Sequence, residues 1–105
     1  MNGTDVVVNF LISKGVEDVF GYPGGMVTFL MSSLDKHKNK INMHLMYHEQ
    51  ACSFAACSYA ELTGNIGVAY ATSGPGATNL VTGIANAYFD SIPTIFLTGQ
   101  VNDFE

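Results

Sequence analysis

Four segments hold most of the residues whose types suit chemistry. They are Gly21-Tyr22-Pro23-Gly24-Gly25, His48-Glu49-Gln50, the run TSGPGATN from Thr72 to Asn79, and Thr98-Gly99-Gln100-Val101. Glu49 is the most informative charge. It stands between an apolar segment and a stretch of small residues, with Tyr47 and His48 before it. The helix dipole favours an acid in a first helical turn, and that structural role would account for it. A carboxylate there could also share a proton with a heterocyclic nitrogen, which is general acid–base work. His48 is open to a similar pair of readings: a packing or hydrogen-bonding residue at a strand end, or a second acid–base group. His37 and His44 stand alone and read as structural.

The glycines invite a nucleotide reading that fails on spacing. G-x-G-x-x-G is absent, because Gly74-Pro75-Gly76-Ala77-Thr78-Asn79 ends in Asn, and the P-loop pattern with its Lys-Ser/Thr is absent too. A Pro between two glycines still makes a rigid turn that lets a flat ligand approach the backbone closely. Cys52 and Cys57 are five apart and do not share a helix face, so they read as small buried residues. No Cys/His pair has metal spacing, so no metal ligand is expected in this chain. No G-x-S-x-G elbow appears either.

The elements that must carry these segments alternate. Thr4 and Asp5 suit a helix start, with Val7, Phe10 and Leu11 at helical spacing and Gly15 as the stop. Residues 16–20 read as a buried strand, 26–34 as a helix and 43–47 as a second buried strand. Residues 49–62 read as a helix, 66–71 as a third strand, 77–89 as a helix and 94–98 as a fourth strand. Short continuous apolar strands separated by helices predict an α/β fold: a parallel sheet with helices on both faces. Its ligands should sit at the carboxyl ends of the strands, where all four segments fall. The last element is a strand whose sheet should continue, so the domain reads as cut short.

Composition narrows the function. The chain has 105 residues, 48% hydrophobic, with a net charge of −5, four Lys and no Arg. Without basic charge to displace counterions, neither nucleic acid nor an anionic membrane is an expected partner. No apolar run nears the roughly 18–20 residues that span a bilayer. The N-terminus has no basic residue before its apolar stretch, and a cytoplasmic location is expected. Only 12% of residues are charged, about half the usual share for a soluble domain. Part of the surface is therefore expected to be covered by more chain or by another subunit.

In order and spacing, GVEDVFGYPGG, HEQ, TSGPGATNLVTGIANAYFDSIP and TGQV together resemble one family. They look like the N-terminal, pyrimidine-binding domain of thiamine-diphosphate enzymes of the acetolactate (acetohydroxyacid) synthase group. The resemblance runs from about Asp5 to Val101. It implies that Glu49 hydrogen-bonds N1′ of the cofactor's aminopyrimidine and favours the imino tautomer, whose nitrogen takes the thiazolium C2 proton. It further implies that Pro23 and Gly24 line the pyrimidine side, and that Thr72, Pro75, Gly76 and Asn79 border or support the pocket. Gly25 and Met26 are implied on the substrate side. The helix 51–60 is implied to pack against another subunit, in a homodimer or tetramer.

The implied activity is decarboxylation or ligation of small 2-oxo acids such as pyruvate, with Mg²⁺ held by a domain absent here and FAD possible. A 105-residue piece of such an enzyme, all within the pyrimidine domain, is expected to be inactive alone. The alternative is a non-catalytic binding or dimerisation module, or the small chain of a two-chain 2-oxo acid decarboxylase. Met26 stands where these synthases usually carry Ala, and Asn102 where Pro usually follows GQV. Both departures bear on substrate specificity.

Overall fold

The computed structural model describes residues 2–101. Asn102 lies outside the described residues. Helix α1 (Gly3–Ser13) starts one or two residues before the expected Thr4 and Asp5, because Asn2 is its cap. The Asn2 side chain accepts from the Asp5 N–H at 3.0 Å, and Asp5 Oδ2 accepts from the Asn2 N–H at 3.2 Å, a reciprocal box. Strand β1 (Asp18–Gly21) follows, then a 3₁₀ turn at Gly25–Val27 and helix α2 (Thr28–Lys36). The single helix expected over 26–34 is thus two pieces. Strand β2 (Asn42–Leu45), helix α3 (Glu49–Thr63) and strand β3 (Gly67–Ala71) come next. Helix α4 (Pro75–Thr78), helix α5 (Val81–Phe89) and strand β4 (Thr94–Thr98) complete the order.

All strand pairs are parallel, in the order β2-β1-β3-β4. Parallel neighbours need crossovers, and α2, α3 and α4–α5 supply them. The chain leaves β1 toward β2, then returns past β1 to β3 and β4. The order therefore reverses between β1 and β3, and α/β sheets bind ligands at such a switch point. The loops after β1 and β3 are the two glycine-rich segments.

Residues alternate across β3. Val68 and Tyr70 enter a core of large side chains with Val8, Leu11, Leu30 and Leu34 of α1 and α2. Ala69 and Ala71 face the other way, onto Cys52, Ala56 and Leu80. Small residues on that face let α3 lie close to the sheet. A Cβ on Gly67 would collide with the Ala56 carbonyl oxygen, and one on Gly83 with Ser53.

The small residues of α3 mostly serve close packing within the chain: Cys52, Ser53, Ala56, Cys57 and Ala60 are buried against β3 and α5. The surface α3 offers outward is Ala51, Phe54, Ser58 and Leu62.

β2 corrects one expectation. It was expected to be buried, yet it is mostly exposed. It has β1 as its one neighbour, and Tyr47 beyond it is 97% exposed. β3, flanked on both sides, is buried at every residue.

Candidate functional site

Glu49 is the first residue of α3. His48 is its N-cap, and His48 Nδ1 accepts from the Gln50 N–H at 3.1 Å. His48 is therefore a cap with its Nδ1 lone pair occupied, which favours the structural reading made for it. Glu49 is only 8% exposed although it begins a helix. Cys52, one turn on, is wholly buried. Burial first, and the Glu49 carboxylate second, push its thiol up to about 11. A thiol so perturbed stays protonated and unreactive at neutral pH. Both cysteines are free, and Cys57 Sγ lies 3.5 Å from the Gly83 carbonyl oxygen.

The turn after β3 supplies the opposite wall. Gly74 has φ +67° and ψ −127°, a conformation that non-glycine residues rarely adopt. Pro75 then opens α4. The continuous helix expected over 77–89 is broken at Asn79-Leu80. Leu80 turns into the core, while Asn79 turns to the site. Asn79 Nδ2 donates to Glu49 Oε1 at 3.1 Å. Only the nitrogen end of the amide can donate to a carboxylate, so its orientation follows from chemistry.

The loop after β1 closes the third side. The Met26 N–H donates to Thr72 Oγ1 at 3.2 Å. A Cβ on Gly24 would collide with the Thr72 side chain. A Cβ on Gly76 would stand 2.8 Å from Thr72 Cγ2 and 3.4 Å from Glu49 Oε2. Glycine at both positions lets the two loops close on Thr72, beside the carboxylate.

Of the residues singled out in the sequence, Glu49, Thr72, Gly76 and Asn79 thus form one contact set, with Gly24 and Met26 joined through Thr72. Pro23, Gly25 and Pro75 lie exposed on the same loops. Gly99 was read only as loop. A Cβ there would collide with Met26, so the β4 end closes on Met26 as well. Its signal in the sequence was a glycine just after a strand on the same rim.

His44 departs from its solitary reading. Its Nε2 lies 2.8 Å from Asp18 Oδ1, and its ring stacks on Phe20 at 5.1 Å. That cluster joins Asp18 and Phe20 of β1 to β2. Among the described residues, no group of three or more His, Cys, Asp or Glu could hold a metal ion.

A parallel α/β domain with a sheltered carboxylate beside glycine-rich loops at its switch point has the layout of a ligand-binding domain. Residues 1–103 match the family described as "Thiamine pyrophosphate enzyme, N-terminal TPP binding domain", and the chain belongs to that family. Thiamine pyrophosphate is another name for thiamine diphosphate.

The chain is 48% identical over 101 residues to an acetolactate synthase large subunit of Buchnera aphidicola subsp. Schizaphis graminum. That alignment covers 96% of this chain and 18% of the relative. It is 49% identical over 102 residues to the acetolactate synthase isozyme 2 large subunit of Escherichia coli, covering 97% and 18%. A chloroplastic acetolactate synthase 2 of Zea mays is 48% identical over 99 residues, covering 94% and 15%. The chain thus spans 15–18% of the length of these curated relatives.

Proposed function

We propose that this chain is the pyrimidine-binding part of an acetolactate synthase-like enzyme, dependent on thiamine diphosphate, that decarboxylates or ligates small 2-oxo acids such as pyruvate. One observation carries the proposal: the buried Glu49 carboxylate, held by Asn79 at 3.1 Å, stands between the two glycine-rich loops of the switch point, with Gly76 beside its second oxygen. The fit is chemical. An aminopyrimidine is flat and offers a ring nitrogen that can share a proton with a carboxylate. When bound, the cofactor supplies the bond-breaking and bond-forming chemistry beside the 2-oxo acid carbonyl.

The chain's own residues bind and orient. Glu49 holds and returns a proton at the ring nitrogen N1′. Thr72, Gly24 and Gly76 border the pyrimidine, and Met26 with Gly25 faces the substrate side. A diphosphate and its Mg²⁺ would be held by residues of a longer chain or of a partner, because four Lys and no Arg leave this one poorly equipped. Any FAD would likewise be bound outside these residues.

A homodimer or tetramer belongs to the same proposal. It is supported by exposed Phe54 and Leu62 on α3 and by exposed Val81 and Tyr88 on α5. A cytoplasmic location also belongs to it, in keeping with two free, buried cysteines.

The test is a chimera in which this chain replaces the matching segment of the Escherichia coli relative. Wild-type chimera should turn over pyruvate. Glu49→Gln should lower kcat by about 10²–10⁴-fold, the usual contribution of a positioned acid–base group. Unchanged turnover in that variant would sink the role given to Glu49. A folded chimera that binds its partner but never acts on pyruvate would favour the non-catalytic module.

A further inference from the structure

We propose that Asn79 is a positioning residue that decides which oxygen of Glu49 meets the ligand. The inference rests on the cofactor reading above. Glu49 has two equivalent oxygens and a flexible side chain. Among the described residues, Asn79 is the only side chain hydrogen-bonded to it. That bond occupies Oε1. Oε2 is left on the side of Gly76, where a Cβ would come within 3.4 Å of it. The oxygen without a side-chain partner is therefore the one beside Gly76.

The chemistry of the donor matters. An amide donates without carrying charge and does not titrate. Lys in its place would pair with the carboxylate, and Asp would repel it. Asn79 steadies the side chain and leaves the exchangeable proton to Oε2.

The fold explains why this geometry can be held. Asn79 sits in the break between α4 and α5, where the helix turns enough to aim it at α3. α3 and α5 are locked together by the Gly83–Ser53 contact and by Cys57 against the Gly83 carbonyl. Donor and acceptor thus ride on two elements with little freedom to slide.

Two measurements test it. In the chain itself, ¹⁵N NMR of the Asn79 side-chain amide should show one proton shifted well downfield of its geminal partner. Glu49→Ala should return the pair to the ordinary separation of an unbonded Asn amide. If the shift is absent, or survives Glu49→Ala, the hydrogen bond and the proposal fall.

In the chimera, Asn79→Ala and the isosteric Asn79→Asp should each lower kcat by about 10- to 100-fold, the scale of a small misplacement of a reacting group. KM for pyruvate should stay within about two-fold, because Asn79 acts through Glu49 and not on the substrate. Asn79→Ser, which keeps a donor, should recover part of kcat. Unchanged kcat in Asn79→Asp, or a loss that falls on KM alone, would overturn the positioning role. If Glu49→Gln is itself harmless, the cofactor reading fails instead, whatever the amide signal shows.

Discussion

At the residue scale, the site depends as much on absent atoms as on present ones. Gly76 lies within α4, where alanine is by propensity about 1 kcal/mol the better helix former. Against that gain, an alanine methyl would stand 2.8 Å from Thr72 Cγ2 and 3.4 Å from Glu49 Oε2 with no ligand bound. Overpacking of this kind costs about 1–3 kcal/mol of folding stability. Gly76→Ala should therefore lower the melting temperature of the chimera, and a Thr72 pushed from its place should weaken thiamine diphosphate in a calorimetric titration. Affinity equal to wild type would mean that the ring does not enter beside Gly76. The types and spacing of Glu49, Thr72 and Gly76 could be read from the sequence. The Asn79–Glu49 bond could not, because it depends on a helix break that periodicity alone does not reveal: Val81, Ile84 and Tyr88 continue the apolar spacing as though the helix were whole.

At the element scale, legibility followed punctuation. β4 was expected at 94–98 and lies there, and α3 was expected to begin at Glu49 and does. Both have sharp punctuation, Pro93 before one and Gly64 with φ +74° after the other. β2 was misjudged because an apolar run says nothing about whether its strand has one neighbour or two. The inward role of the small residues on α3 needed Gly67 and Gly83, which are far off in sequence. Gly83→Ala should destabilise the chain by about 1–3 kcal/mol through the collision with Ser53, read as a lower urea midpoint with unchanged slope.

A second device joins α1 to α2. Asp5 accepts from Ser33 Oγ at 2.6 Å and pairs with Lys36 Nζ at 3.0 Å. The Ser33 hydroxyl first, then Lys36 and the Asn2 backbone, hold the Asp5 carboxyl far below its ordinary value of 3.8. A depressed folded-state pKa means that this stabilisation is present above pH 3.8 and is lost as the pH falls below it. Asp5→Asn should be less stable than wild type at pH 7, and the gap should narrow as the pH drops below about 4. A gap independent of pH would show that packing, not charge, holds these helices together.

At the scale of the whole molecule, the shortage of charge and the distribution of exposed apolar residues point the same way. Phe54 is 42% exposed, Leu62 87%, Val81 55% and Tyr88 79%, all on α3 and α5, whose buried residues pack the sheet and each other. Apolar surface gathered on two adjacent helices marks an interaction face more than random exposure does. A different apolar surface lies along α1 and β4, where Val6, Phe10, Ile95 and Leu97 form an open groove. The two surfaces can be told apart. If α3 and α5 carry the subunit contact, sedimentation equilibrium should show a concentration-dependent dimer of the chain. Phe54→Glu with Tyr88→Glu should shift it to monomer without changing the circular dichroism spectrum. Val6→Glu, on the α1 groove, should leave the dimer intact. The reverse pattern would assign the contact to the β4 side. The Glu49 site of one chain would then have to be completed by something other than a second copy docked on α3 and α5.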